Sequence, residues 1–428
     1  MEPYELDATQ AAQLIAARQL SCEELARSTL AHVARREPQV KAWAHIDPAQ
    51  VVRNARELDT GQGGSALHGS TWGVKDVIDT RDMPTSQNSA IYLGHRPSKD
   101  AACVAVARHS GALILGKTET AEFAAGGRLP ATRNPHNVLH TPGASSSGSA
   151  AAVGSCMAQL ALATQTGGSL IRPAAYNGIC GFKPTHGLVS TEGAKMFAPT
   201  LDTIGWYARS VADLSLAARV FGLAADAPRR PDGVRGLRVG LCRGPNRAHI
   251  EPDGESALLT AARRLADAGA IVEELDLPEP FERMTEAHRT IMRGEGRATF
   301  LCEYLAHRPQ LHRSFIDLAE NADGIGHGDL LRALDHAAAC RVAFDALFGP
   351  RLHLLLTPPA PGEAPLASES EGSMIFNAMW TALHVPCISI PAGTGRRGLP
   401  LGVQLVAPRG RDSELLGMAQ ACAEVFGD

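Results

Sequence analysis

The 428-residue chain is 44% apolar and 20% charged, with a formal net charge of −4. That balance supports a substantial core and excludes a disordered chain, and the mild acidity argues against nucleic acid or an anionic membrane as partner. Nine scattered cysteines, an odd number with no C-x-x-C, argue for reduced thiols in a cytoplasmic compartment and against a disulfide frame or structural zinc.

The opening MEPYELDATQ lacks a basic region followed by an apolar stretch, so no signal peptide is expected. No run of 18 apolar residues predicts a membrane span. Residues 7–36 read as two helices, with SCEE (Ser21 to Glu24) spaced as a capping box for the second. A third helix is expected over 47–58, before GQGGSALHGS (61–70) breaks the pattern. From 71 to 225, short apolar runs alternate with helical stretches: STWGVKDVIDT is a strand carrying a lysine, AVARHSGALILGKT and AAVGSCMAQLALATQT each a helix then a strand. The basic PRRPDGVRGLR (228–238) reads as a solvated linker. Beyond it come LRVGLCR (strand), ESALLTAARRLADAG (helix) and IVEELDLPEP (strand), then a mostly helical 280–348. The strands LHLLLTPPA, PCISIPA and GVQLVA and a helix at 412–426 close the chain.

This alternation predicts an α/β fold, with a large mixed, mostly parallel twisted sheet covered by helices on both faces. Strands at both ends suggest one sheet built from distant segments, hence a single domain over 1–428. Its parts are N-terminal helices (1–65), a core (66–225), a strand-helix-strand unit with a helical insertion (226–350), and C-terminal strands and helix (351–428).

Two motifs are decoys. GALILGKT (111–118) fits G-x-x-x-x-G-K-[ST], but Ala-Leu-Ile-Leu favours a buried strand where a phosphate cradle needs a polar loop. His136 and His140 have H-x-x-x-H spacing, yet Asn134-Pro135 puts them in a turn with no acidic third ligand nearby.

ATQTGGSLIRPA (163–174) carries more chemistry. Gly167 and Gly168 before Ser169 allow a sharp bend with unobstructed N–H groups, and a helix starting near Ser169 would add its positive end. Such a loop could hold an oxyanion and present a nucleophile, or be a plain strand-to-helix turn. No histidine stands in a triad context. The alternative base is Lys75 in WGVKDVID, which burial could deprotonate. It could also be a strand-edge lysine paired with Asp76 or Asp79.

Lys75 in GVKDVID, then TPGASSSGSAAAV (141–153), then TQTGGSLIRPAAYNGICGFKPT together resemble the amidase signature hydrolases. The tail segments PCISIPAG and GLPLGVQLVA are similar to that family's as well. The resemblance implies a Ser–cis-Ser–Lys triad: Ser169 as nucleophile, Ser145, 24 residues earlier, as proton relay, and Lys75 as base. It implies an oxyanion hole from the N–H groups of Thr166, Gly167, Gly168 and Ser169, and a cis peptide bond before Ser145. Ala144 stands there where the family usually has glycine. Ser146 and Arg172 are expected to contact substrate. The Q-T-G-G-S-x-I-R-P form resembles the malonamidase branch, in which the arginine grips a substrate carboxylate; Arg172 could equally lock the loop. The segment 280–300 is expected to line the pocket, without the glutamine of the malonamidase pattern.

The implied reaction is hydrolysis of a small-molecule amide through an acyl-enzyme, with no metal or cofactor. A homodimer is compatible with the family's habit. Three further readings are the glutaminase subunit of a tRNA-dependent amidotransferase, an ester or carbamate hydrolase on the same triad, and an inactive small-molecule-binding relative.

Overall fold

The computed structural model describes residues 1–61, 65–224 and 232–427. Local chemistry sets the first helices. Asp7 caps α1 (Ala8–Ala16) by accepting from the Gln10 N–H. The Ser21 capping box forms, with the Glu24 N–H on Ser21 Oγ at 3.1 Å and the Ser21 N–H on Glu24 Oε2 at 2.8 Å, and starts α2 (Cys22–Val40). Asp47 and the N-terminal Pro48 start α3 (Pro48–Thr60).

The core then follows the expected alternation: β1 (Trp43–Ile46), β2 (Thr71–Lys75), α4 (Ala102–His109), β3 (Leu113–Thr118), α5 (Ser147–Gly154), β4 (Leu160–Gln165), α6 (Ile171–Tyr176), β5 (Cys180–Lys183), β6 (Thr203–Ala208) and α7 (Val211–Val220). After it come β7 (Arg238–Leu241), α8 (Pro252–Asp267) and β8 (Ile271–Glu274). The helical insertion holds α9 (Met284–Thr299), α10 (Leu301–His307), α11 (Arg313–Ala319) and α12 (His327–Asp345). β9 (Leu354–Thr357), α13 (Ala378–Ala382), β10 (Cys387–Thr394), β11 (Pro400–Val406) and α14 (Asp412–Phe426) complete the fold. Part of the expected 61–70 break and of the basic linker lies outside the described residues.

The eleven strands among the described residues form one mixed sheet in the order β1-β3-β2-β4-β6-β5-β10-β11-β9-β7-β8. Parallel pairing is confined to β3-β2-β4 and β9-β7-β8, and the other six pairings are antiparallel. The expectation of mostly parallel pairing is thereby corrected. Helix crossovers give parallel neighbours, but β5–β6 and β10–β11 follow one another without a helix and pair antiparallel in the middle of the sheet.

Period-2 alternation divides the core between the two faces. Leu160 and Leu162 of β4 pack with Val104 of α4, Leu214 of α7, Leu265 of α8 and Leu416 of α14. Ala161 and Ala163 pack with Val153 of α5, Ile171 of α6, Ile291 of α9, Phe344 of α12 and Trp380 of α13. No helix among the described residues is long and apolar enough to cross a membrane.

Candidate active site

β2 and β4 are parallel neighbours, so Lys75 and Gln165, their last residues, emerge at the same edge of the sheet. Ligands in open α/β sheets gather at such carboxyl ends. All five residues of β2 are buried, and Lys75 is fully so. Its Nζ lies 2.7 Å from Ser145 Oγ, 2.9 Å from Ser146 Oγ and 2.7 Å from Thr164 Oγ1. These are neutral oxygens. Burial drives the Lys75 pKa well below the lysine range, and the negative charge of Asp202 acts in the opposite direction.

Pairing of Lys75 with Asp76 or Asp79 is not what the structure shows. Lys117 of β3 takes Asp76 at 3.2 Å, and Asp76 also accepts from the Ser86 hydroxyl and the Ser86 and Gln87 N–H groups. Lys117 is the lysine of the P-loop-like GALILGKT, which forms the buried strand β3. His136 and His140 each meet a backbone carbonyl, that of Asn177 at 2.9 Å and of Ala364 at 2.7 Å, and so staple a loop.

The hydroxyl-rich stretch stitches α5 onto the sheet. Ser146 donates to the Thr164 carbonyl at 3.0 Å, and Ser149 to the Leu162 carbonyl at 2.8 Å while also meeting Thr118 Oγ1 at 2.6 Å. The small residues permit this approach: a Cβ on Gly148 would collide with the backbone of Ala42 and Glu119. Ser146 is buried, and its hydroxyl is occupied by Lys75 and β4. It faces the base. The peptide bond before Ser145 is trans, correcting the cis expectation. Trans is the lower-energy form for a non-proline residue, and with it Ser145 Oγ already reaches Lys75.

Residues 166–169 form a loop held by its carbonyls. His288 Nε2 meets the Thr166 carbonyl at 2.8 Å, and Thr381 Oγ1 donates to that of Gly167 at 2.9 Å. The Arg172 N–H donates to the Gly168 carbonyl at 3.1 Å and the Tyr207 hydroxyl to that of Ser169 at 3.2 Å. Gln165 Oε1 accepts from the Leu170 and Ile171 N–H groups at 2.9 and 3.0 Å. The N–H groups of Thr166, Gly167, Gly168 and Ser169 donate to no acceptor among the described residues. They form a preorganised set of donors for an anion. The expected helix at Ser169 is the six-residue α6, starting at Ile171. Loop amides, and not a long helix's dipole, make this cradle. Glycine is needed at 168 because a Cβ there would lie 2.5 Å from Asn377 Oδ1 and 3.0 Å from Met374 Cβ.

Ser169 is half-buried, and among the described residues its hydrogen bonding runs through its carbonyl and not its Oγ. The Lys75–Ser145 contact is present, whereas Ser145 and Ser169 are not hydrogen-bonded. Arg172 is 4% exposed, and its guanidinium makes no hydrogen bond or ion pair among the described residues; Nε is sealed from solvent without a partner. Burial lowers its pKa, while Tyr176, Glu371 and Tyr207 raise it electrostatically. The loop-locking alternative has no guanidinium contact to support it.

Sequence reasoning missed Asp202, His288, Gln165, Tyr207, Asn377 and Thr381. The first carboxylate accepts from Thr166 Oγ1 and from the Phe197 and Ala198 N–H groups at 2.5 and 3.0 Å. Burial raises the Asp202 pKa to about 6 and lowers that of His288 to about 4. His288 comes from 280–300, the segment expected to line the pocket.

The chain is also similar to proteins of known structure and function along most of its length. The chain is 32% identical to the A subunit of the glutamyl-tRNA(Gln) amidotransferase of Chloroflexus aggregans, over 99% of its own length and 97% of that relative's. It is 40% identical to the corresponding protein of Roseiflexus castenholzii over 64% of this chain and 60% of that one. The native peptide amidase of Stenotrophomonas maltophilia superposes with a TM-score of 0.84 at 29% identity, covering 99% of this chain and 98% of that structure. The sequence profile of the amidase family matches residues 24–416, so the chain belongs to the amidase family of hydrolases acting on carbon–nitrogen bonds.

Proposed function

We propose that the protein hydrolyses a small carboxylate-bearing amide through an acyl-enzyme on Ser169, with Ser145 as proton relay and Lys75 as base. The observation that carries this reading is the buried Lys75 amine, 2.7 Å from Ser145 Oγ and surrounded by hydroxyls. A neutral amine has two N–H donors and one lone pair. Ser146 spends its proton on the Thr164 carbonyl, so the lone pair is left to Ser145 or Thr164. That polarity suits transfer from Ser145 to Lys75.

When substrate binds, Ser169 Oγ closes on Ser145; such contacts tighten in the substrate complex. Ser169 Oγ then bonds to the carbonyl carbon, its proton passing to Ser145 as the Ser145 proton passes to Lys75. The N–H groups of 166–169 take up the oxyanion charge. The carbon–nitrogen bond breaks as the proton returns through Ser145 to the leaving nitrogen, and water hydrolyses the ester. The chain's own residues supply every proton transfer.

Arg172 supports the carboxylate. An unpaired buried guanidinium is costly, and a planar carboxylate matches its donor fork. Its position three residues after Ser169 also supports a malonamidase-like branch. The likeness to amidotransferase A subunits favours a second reading, in which the amide is glutamine and a partner uses the released ammonia. Ammonia release from a panel of carboxylate-bearing amides, L-glutamine included, and their neutral analogues tests both readings. The proposal expects turnover of acidic over neutral amides, lost in Ser169→Ala; preference for neutral amides would overturn the substrate class.

A further inference from the structure

Asp202 lies just before β6 and is hydrogen-bonded to the anion loop. Its Oδ1 accepts from Thr166 Oγ1, while Oδ2 takes the Phe197 and Ala198 N–H groups. Thr166 is thus gripped on its hydroxyl by Asp202 and on its carbonyl by His288 of α9, leaving its N–H toward the anion cradle. A cavity of about 10 Å³ adjoins the carboxylate, lined by Thr164, Thr166, Lys195, Asp202 and Thr203. Asp202 is 7% exposed and Lys75 fully buried, so bulk solvent screens charge here only weakly. Thr164 is also the residue whose hydroxyl meets Lys75.

Resting on the Ser169–Ser145–Lys75 reading above, we infer that Asp202 is a positioning residue: its carboxylate clamps the Thr166 end of the anion loop and lines the same small cavity as Thr164, the hydroxyl partner of the Lys75 base. The other charged groups around the cavity and the base are already paired or neutral, Asp76 beside Lys75 included. Lys195 lines the cavity but is paired with Glu303 of α10 at 2.5 Å. His288 is buried and held neutral. Lys117 is committed to Asp76. Two consequences of one carboxylate can therefore be separated, one through geometry at Thr166 and one through charge at Lys75.

The test follows the rate of Ser169 labelling by a fluorophosphonate probe from pH 5 to 10. Asp202→Asn removes the charge that favours the ammonium, so the acid limb should move to lower pH. Thr166→Val removes the clamp but keeps the charge. It should slow labelling roughly tenfold or more across the range without that downward move. An unmoved acid limb in D202N, or the same displacement in T166V, overturns the inference while leaving the triad reading intact. Wild-type rate in T166V also overturns it, and does so even if D202N fails to fold. Absence of labelling in the wild type defeats the triad reading instead.

Discussion

Replacing Lys75 by methionine gives a stability signature that only a neutral lysine produces. In the unfolded chain Lys75 binds a proton up to its ordinary pKa near 10.4; in the native state, burial among three hydroxyls drives that pKa well down, and the proposed base is the unprotonated amine. The native state therefore binds one proton fewer, and this group's contribution to stability rises with pH. The folded pKa is depressed, so the contribution is complete only above the unfolded pKa and is lost as pH falls. The slope is about 1.4 kcal/mol per pH unit between pH 7 and 10. Lys75→Met has no such term. Its stability relative to wild type should thus be greatest at pH 7 and should decline by roughly 1.4 kcal/mol per unit toward pH 10. Urea unfolding of both proteins at pH 7, 8, 9 and 10 measures the difference. A difference that stays constant across that range means Lys75 remains charged in the native state and cannot act as the base.

Arg172→Met should lower kcat/KM for carboxylate-bearing amides roughly 30-fold or more while changing neutral amides little, because the substrate loses a buried charge partner; equal losses on both classes would remove Arg172 from substrate binding. The same variant should unfold at higher urea, by about 1–4 kcal/mol, since an unpaired buried charge is gone. Gly168→Ala puts a Cβ against Asn377 and Met374, so kcat should fall about 10²–10³-fold as the loop N–H groups shift. His288→Gln should reduce kcat by loosening Thr166 yet keep the acid limb above pH 5, because His288 titrates only near 4. Loss of that limb would make His288 the titrating group.

Much of the site was legible because it lies in contiguous motifs. Lys75 at the end of an apolar run reads as buried, and TGGS reads as a bent loop with free amides. The hydroxyls of 141–153 signalled something other than core or linker, but their use in joining α5 to β4 needs the partner strand. Three features were beyond sequence reading for a common reason. The antiparallel centre of the sheet depends on where β10 and β11 insert between β5 and β9. Asp202 sits in an ordinary-looking TLDTIGW neighbourhood created by no local motif, and bonds 36 residues back. His288 reaches Thr166 across 122 residues. Each is a long-range contact that neither periodicity nor spacing encodes. The guanidinium of Arg172 is the converse: its residue type was noticed, while its lack of a partner among the described residues became visible only once the surrounding helices were in place.

Treatment with a fluorophosphonate followed by intact mass and peptide mapping probes the nucleophile itself. One adduct per chain, on the peptide containing Ser169 and absent in Ser169→Ala, is the expected outcome. An unmodified protein, or an adduct that persists in Ser169→Ala, would show that the hydroxyl beside the amide cradle is not the attacking group.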